Sequence, residues 1–136
     1  MILDKTLLLS DEQAVTATAV STNTIDLSAA LRDIGAGEQI YAVVVVDVDF
    51  TAAGAATMVI GLITDDAAAL SSPTTILSTP AIGKAALTAG RVPIVIPVPP
   101  NIAEQYLGLN YTVATGPMTA GKVTAFIAKD VQTNLS

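Results

Sequence analysis

Asp47 and Asp49 stand two residues apart at the end of one apolar run, and Asp65 and Asp66 close the next. Alternate residues of a strand share a face, so Asp47 and Asp49 would present paired carboxylates. Together with Asp65 and Asp66 they form a candidate hard-cation site, since Ca²⁺ is held by several oxygen ligands at once. The blander reading, and the one favoured, is a set of solvated strand ends in an acidic chain. A carboxylate pair could also serve glycoside hydrolysis. Sugar sites usually stack the ring on aromatics, however, and this chain offers only Tyr41, Phe50, Tyr106, Tyr111 and Phe126, with no Trp.

Other chemistry is excluded by what is missing. With no His, a Ser-His-Asp triad cannot be built, and with no Cys there is neither a thiolate nucleophile nor a disulfide. No Gly-x-Ser-x-Gly occurs among the many Ser and Thr. Nothing in the spacing of Lys5, Lys84, Lys122 or Lys129 sets a lysine beside a serine for Ser-Lys catalysis. Gly35-Ala36-Gly37 has no strand before it and no helix after it, so it reads as a turn and not a phosphate cradle. The expectation is no catalytic residue, no cofactor and no enzyme. Arg32 and Arg91 are the candidate interface residues, because a planar guanidinium pairs bidentately with a partner's carboxylate.

The elements that would carry these residues are strands. Val15 to Val20 alternates in period two, with Thr24 to Leu27 continuing after a Ser-Thr-Asn turn. Ile40 to Val48 is apolar on both phases, as in a strand covered on both faces. Thr57 to Thr64 follows, with Gly61 as a bulge or close-approach point, then a short strand at Thr74 to Thr79. Val92 to Val98 carries Pro93 and Pro97 on one face and is expected at a sheet edge or broken. Gln105 to Val113 and Lys122 to Lys129 complete about eight strands, separated by turn signals at Ala53-Gly54, Ser72-Pro73, Pro99-Pro100-Asn101 and Thr115-Gly116-Pro117. Short helices are expected only at Leu27 to Ile34 and Asp66 to Leu70. Phe50 to Thr57 echoes Met118 to Thr124, which two hairpin loops of similar chemistry explain. The fold class expected is all-β: a single-domain β-sandwich or barrel spanning residues 1–136, with one or two short helical turns.

Composition bounds the partners. The chain has 136 residues and a formal charge of -6, with no basic footprint for a phosphate backbone, so neither nucleic acid nor an anionic membrane is expected as a partner. Its longest apolar runs are strand-sized, too short for a membrane helix, and the first residues do not read as a signal peptide. Hydrophobic residues make up 51% against 13% charged, more apolar side chain than one small core consumes. The surplus points to permanent docking or self-association, as a dimer or trimer.

Several stretches carry a resemblance to a known family. Met1 to Lys5, Leu8-Leu9-Ser10-Asp11 and Gln13 to Asn23 are similar to the capsid cement (decoration) proteins of tailed bacteriophages. So are Asp26-Leu27, Arg32 to Gly35, Gly37-Glu38, Phe50 to Thr57, Tyr106-Leu107, Leu109 to Pro117 and Asp130 to Gln132. The resemblance spans nearly the whole chain. It implies a structural virion protein, made in the bacterial cytoplasm, that sits on the outer surface of the capsid as a jelly roll. There it would bridge subunits of a major capsid protein of the tailed-phage fold and stabilise the shell. The family supplies no catalytic residues to carry over. Residues 1–13 and 130–136 lie outside the strongest strand patterns and are expected as extended contact arms. The alternative is a phage receptor-binding or carbohydrate-binding β-module of the same fold.

Overall fold

Runs of β-branched residues that alternate between a core face and an outer face generate ten strands. The computed structural model describes residues 4–28, 37–100 and 102–131. The strands are β1 (Leu8–Ala14), β2 (Ala19–Val20), β3 (Ile25–Asp26), β4 (Ile40–Thr51) and β5 (Thr57–Asp65). They continue with β6 (Thr74–Ser78), β7 (Ile82–Gly83), β8 (Ile94–Val98), β9 (Tyr106–Ala114) and β10 (Ala120–Ala128). Two antiparallel sheets result, one ordered β1-β10-β4-β8 and the other β2-β9-β5-β6, with β3 also on β9 and β7 also on β5.

The two shortest pairs are broken halves of longer lanes. β2 and β3 occupy successive stretches of the β9 edge, Ala19 opposite Tyr111 and then Ile25 opposite Leu107. β6 and β7 do the same on β5, Ser78 opposite Gly61 and Ile82 opposite Met58. Ten strands, two of them continuations, leave eight lanes, and their order is 1-8-3-6 in one sheet and 2-7-4-5 in the other. That is the strand order of a jelly roll, as the sequence led one to expect.

The core lies between the sheets. Ala42, Val44 and Val46 of β4, Val123, Ala125 and Ile127 of β10, and Ile94, Ile96 and Val98 of β8 point inward from one side. Met58, Ile60 and Leu62 of β5, and Leu107, Leu109 and Tyr111 of β9, meet them from the other. Each Val, Leu, Ile or Met side chain among them contributes about 1.5–3 kcal/mol when fully buried. Gly121, at the start of β10, has φ +140 and leaves no room for a Cβ against the Phe50 ring. The echoing segments of the sequence lie side by side here. Thr119 donates its backbone N–H to the Thr51 carbonyl at 2.7 Å, and the two threonine hydroxyls are hydrogen-bonded at 2.7 Å.

One side of the sandwich is closed by hydrogen bonds from sheet to sheet. The Tyr111 hydroxyl, buried on β9, lies 2.8 Å from Ser10 Oγ on β1. Ser10 donates its single proton to Gln13 Oε1 at 2.7 Å, so Tyr111 must donate to Ser10. Gln13 Oε1 also accepts from the Thr22 N–H, and its Nε2 donates to the Val20 carbonyl. Asn23 donates its N–H to the Leu9 carbonyl, and Ser21 donates its N–H to the Leu109 carbonyl. The edges of β1 and of the β2–β3 lane thereby cover each other.

Several expectations are corrected. Residues 8 to 13, expected as part of an arm, form most of β1. Polar residues Ser10 to Gln13, a left-handed Glu12 (φ 46) and two register shifts against β10 hide its period-two signal. The strand expected over Val15 to Val20 shrinks to β2, because Val15 is a buried corner where the chain crosses between sheets. Asp66 to Leu70 is a bend and not a helix. The helical turns are 3₁₀ turns at Lys5–Leu7 and Lys84–Ala86. The helix expected at Leu27 to Ile34 falls almost wholly outside the described residues, as do residues 132–136 of the expected second arm. Among the described residues no helix is long and apolar enough to cross a membrane.

Two outcomes test this packing. Burial pushes the Tyr111 phenol from 10.0 up to about 12. The unfolded chain therefore loses that proton first, and stability falls as pH rises from about 10 to about 12, by about 3 kcal/mol. Chemical denaturation across that window should show the fall, and Tyr111→Phe should remove it while costing about 1–2 kcal/mol at neutral pH. Gly121→Ala, strained at its φ and pressed on Phe50, should cost about 2–4 kcal/mol in the same measurement.

Candidate docking surface

The acidic quartet does not assemble. Asp47 sits in a bulge of β4, where Val46 faces Val123 and Val48 faces Lys122, and its Oδ2 accepts from the Thr124 hydroxyl at 2.5 Å. Asp49 Oδ1 accepts the Ala89 N–H at 2.6 Å and holds the loop that leads into β8. Asp65 lies at the far end of β5 on the other sheet, eight residues beyond Thr57 and so about 26 Å down that strand. Its carboxylate accepts backbone N–H groups from Asp66 (2.7 Å) and Ser72 (2.8 Å) and, more loosely, from Ala67. The Ser72 N–H above all holds the Asp65 carboxyl below the usual aspartate range. Asp65 is thus a buried clamp on the loop of residues 66–72. That loop sets Leu70 over Gly108, where a Cβ would come within 2.5 Å of the leucine Cδ1. Among the described residues no three carboxylates come together as a cation site.

The arginines divide. Arg91 donates Nη1 to the Ala86 carbonyl at 2.7 Å and Nε to the Val92 carbonyl at 3.2 Å, so its guanidinium braces its own loop. Arg32 lies outside the described residues. Lys84 donates Nζ to the Ala52 carbonyl at 2.5 Å. Lys129 pairs with Glu38 at 2.7 Å, which raises its pKa, but both side chains are more than half exposed and such a pair contributes little. In each of these arrangements the polar group ties the chain to itself.

Outside the β2-β9-β5-β6 sheet stand Thr57, Thr75, Asn110 and Thr112 together with the half-buried Val59 and the buried Ile63, and Asn110 Nδ2 donates to the Thr112 hydroxyl. Outside the other sheet runs an apolar row that crosses all four strands: Leu8 opposite Phe126, Phe126 opposite Val43, Val43 opposite Val95. Val43 and Phe126 are buried, but the row opens toward β8, where Val95 is 38% exposed. Val48 above it is 45% exposed and Val92, just before β8, is 61% exposed. Three of the four large exposed hydrophobics among the described residues thus gather around β4 and β8, joined by the exposed Pro97. Sequence reading found both runs but read Ile40 to Val48 as covered on both faces. The chain covers only part of the outer one.

The rim beside this patch is guarded. Pro97 pairs with Tyr41, and having no N–H it sits where its nitrogen faces away from β4. Pro93 precedes β8 in the same phase, so the free edge of β8 lacks donors at both positions. Prolines at these positions leave this rim with fewer donors for strand pairing.

A family model described as Bbp16 matches residues 9–127, from β1 to the last residues of β10. The chain belongs to the Bbp16 family. No curated protein matches it. The Bbp16 match takes in the sandwich except Leu8 at the start of β1 and Ala128 at the end of β10, and includes Val48, Val92 and Val95.

If the acidic quartet is only a set of local ties, added calcium has no folded-state site to stabilise. A thermal melt with about 100-fold excess of a typical sensor-site dissociation constant should leave Tm unchanged, whereas real binding would add about 2.7 kcal/mol of stability.

Proposed function

We propose that this chain is a capsid cement protein, a structural virion component that binds the outside of a tailed-phage head and bridges major capsid subunits. The observation that carries the reading is the exposure of Val48 and Val95 on one outer face of the jelly roll, with the exposed Val92 just before β8. An exposed apolar face on a rigid two-sheet platform suits permanent docking. The sequence resemblance to cement proteins supplies the partner. A bridge that spans two shell subunits resists outward pressure because the shell cannot open there without breaking its contacts. Such work needs no cofactor and no reactive side chain. Its requirements are a stiff body, a matching apolar face and enough footholds for avidity.

Incubation of the purified chain with expanded and immature heads, followed by sedimentation, tests the reading. Binding is expected to expanded heads only. Val92→Asp with Val95→Asp should weaken occupancy at least about tenfold with the thermal melt unchanged, since both residues are exposed and charge is depleted at interface centres. Absence of binding to expanded heads, or strong signals on a glycan array, would replace the cement reading with a receptor- or carbohydrate-binding module.

A further inference from the structure

The loop after β5 is closed into a ring by one side chain. Asp65 Oδ1 accepts the backbone N–H groups of Asp66 and Ala67 at the start of the loop, and Oδ2 accepts the Ser72 N–H at its end. A turn from the Leu70 N–H to the Ala67 carbonyl shapes the middle. Asp66 to Ala69 and Ser71 to Pro73 are exposed, and Leu70 between them is buried. Its side chain does not enter the inter-sheet core. It lies over the outer face of the sheet, where a Cβ on Gly108 would stand 2.5 Å from Leu70 Cδ1. Gly108 pairs with Ile63 on β5, and side chains directly opposite one another on two strands stand about 5 Å apart. Ile63 also points outward and has no place in the inter-sheet core, yet it is fully buried. Leu70 is its cover. To reach that seat Leu70 takes φ 51, in the left-handed region where a bulky residue is strained. Burial of the leucine and the charge-assisted hydrogen bonds to Asp65 oppose that strain.

We infer that residues 66–72 are an acid-released strap: while Asp65 is charged they seal Ile63 beneath Leu70, and once it is neutral Leu70 leaves its seat and bares the apolar floor. The inference stands apart from the cement reading and holds whatever this chain binds. Protonation acts on every tie at once. A neutral carboxyl loses the charge that strengthens its hydrogen bonds, and its new O–H turns a donor toward backbone donors. The strain at Leu70 then favours opening. The titratable groups around Asp65 are themselves acids. Asp66 follows it in the loop, Tyr106 lies directly opposite on β9, Asp26 lies beyond Tyr106 on β3, and Glu104 accepts the Thr64 hydroxyl. From β6 this end of β5 meets the uncharged Thr74. The Ser72 N–H above all holds the Asp65 carboxyl below its ordinary value of 3.8. The stability that its charge gives the strap is therefore present above 3.8 and is lost as pH falls through the lower value of the folded state.

The chain has no cysteine, so Ile63→Cys places a single thiol beneath the strap, and Thr112→Cys places one in the open on the same face. Both are labelled with a disulfide reagent that reacts in acid, and the ratio of their rates at each pH cancels the thiol's own pH dependence. At pH 7 the Ile63→Cys rate should lie at least about 100-fold below the Thr112→Cys rate. Below pH 3.8 the ratio should rise at least about tenfold while the backbone amides of β9 stay protected from hydrogen exchange. With Asp65→Asn added to Ile63→Cys, the ratio should be raised already at pH 7 and stay level in acid. A ratio that stays low until the β9 amides lose protection, one that is high from the start in Ile63→Cys, or an Asp65→Asn protein that matches its parent overturns the inference. Should the Asp65→Asn protein not fold, the acid titration of Ile63→Cys decides alone.

Discussion

The sandwich depends on one constraint, that its two sheets meet through a core containing a hydroxyl which has to be satisfied. Tyr111 brings a large ring to the centre of β9 and its phenol to the inner face of β1. A buried hydroxyl without a partner costs on the order of 1–3 kcal/mol, so its hydrogen bond sets where β1 can lie. Ser10 receives that bond and passes its own proton to Gln13, and Gln13 in turn ties down Val20 and Thr22. Four side-chain contacts thus fix the corner at which the chain leaves one sheet and enters the other. Everything that follows in the jelly-roll order starts from that corner.

Closure on this side explains the asymmetry of the molecule. Where β1 and the β2–β3 lane cover each other, no edge is left to offer. The opposite side holds the two free edges, β8 and β6, and they are built differently. β8 carries prolines that remove donors, and valines on its outer face that remain exposed. β6 carries threonine, serine and one exposed leucine, without charge. The polar residues that might have signalled chemistry are bound into this architecture instead. Asp47 pins a bulge, Asp49 pins the loop before β8, and Asp65 clamps the loop that seats Leu70 on Gly108. Asp65 ends its strand, whereas Asp47 and Asp49 lie within β4.

These local ties also bear on how the protein would carry load. Hydrogen bonds from carboxylates to backbone N–H groups hold loops without long flexible side chains, and the sheets beneath them are joined across the core by Tyr111 and Ser10. A body of that kind transmits force between two faces with little deformation, because close-packed interiors have low compressibility.

The sequence by itself determined the class of fold and much of its parts. Period-two and all-apolar runs located β4, β5, β6, β8, β9 and β10 within a few residues, since a strand that lines a core has to show its burial in its own composition. It also placed β8 at an edge, through Pro93 and Pro97, because proline's missing donor is a property of the residue alone. What the sequence could not show were pairings whose cause lies elsewhere in the chain. β1 is a strand because β10 lies beside it and Tyr111 reaches its Ser10, and nothing between Leu8 and Ala14 announces either neighbour. The four aspartates could be offered as a candidate cluster because spacing along the chain says nothing about the distance between two sheets. The valines of β4 looked doubly buried, since an apolar residue is the same letter whether its face is covered or open. Only the tertiary arrangement decides which faces are covered, because burial is a relation between elements and not a property of any one of them.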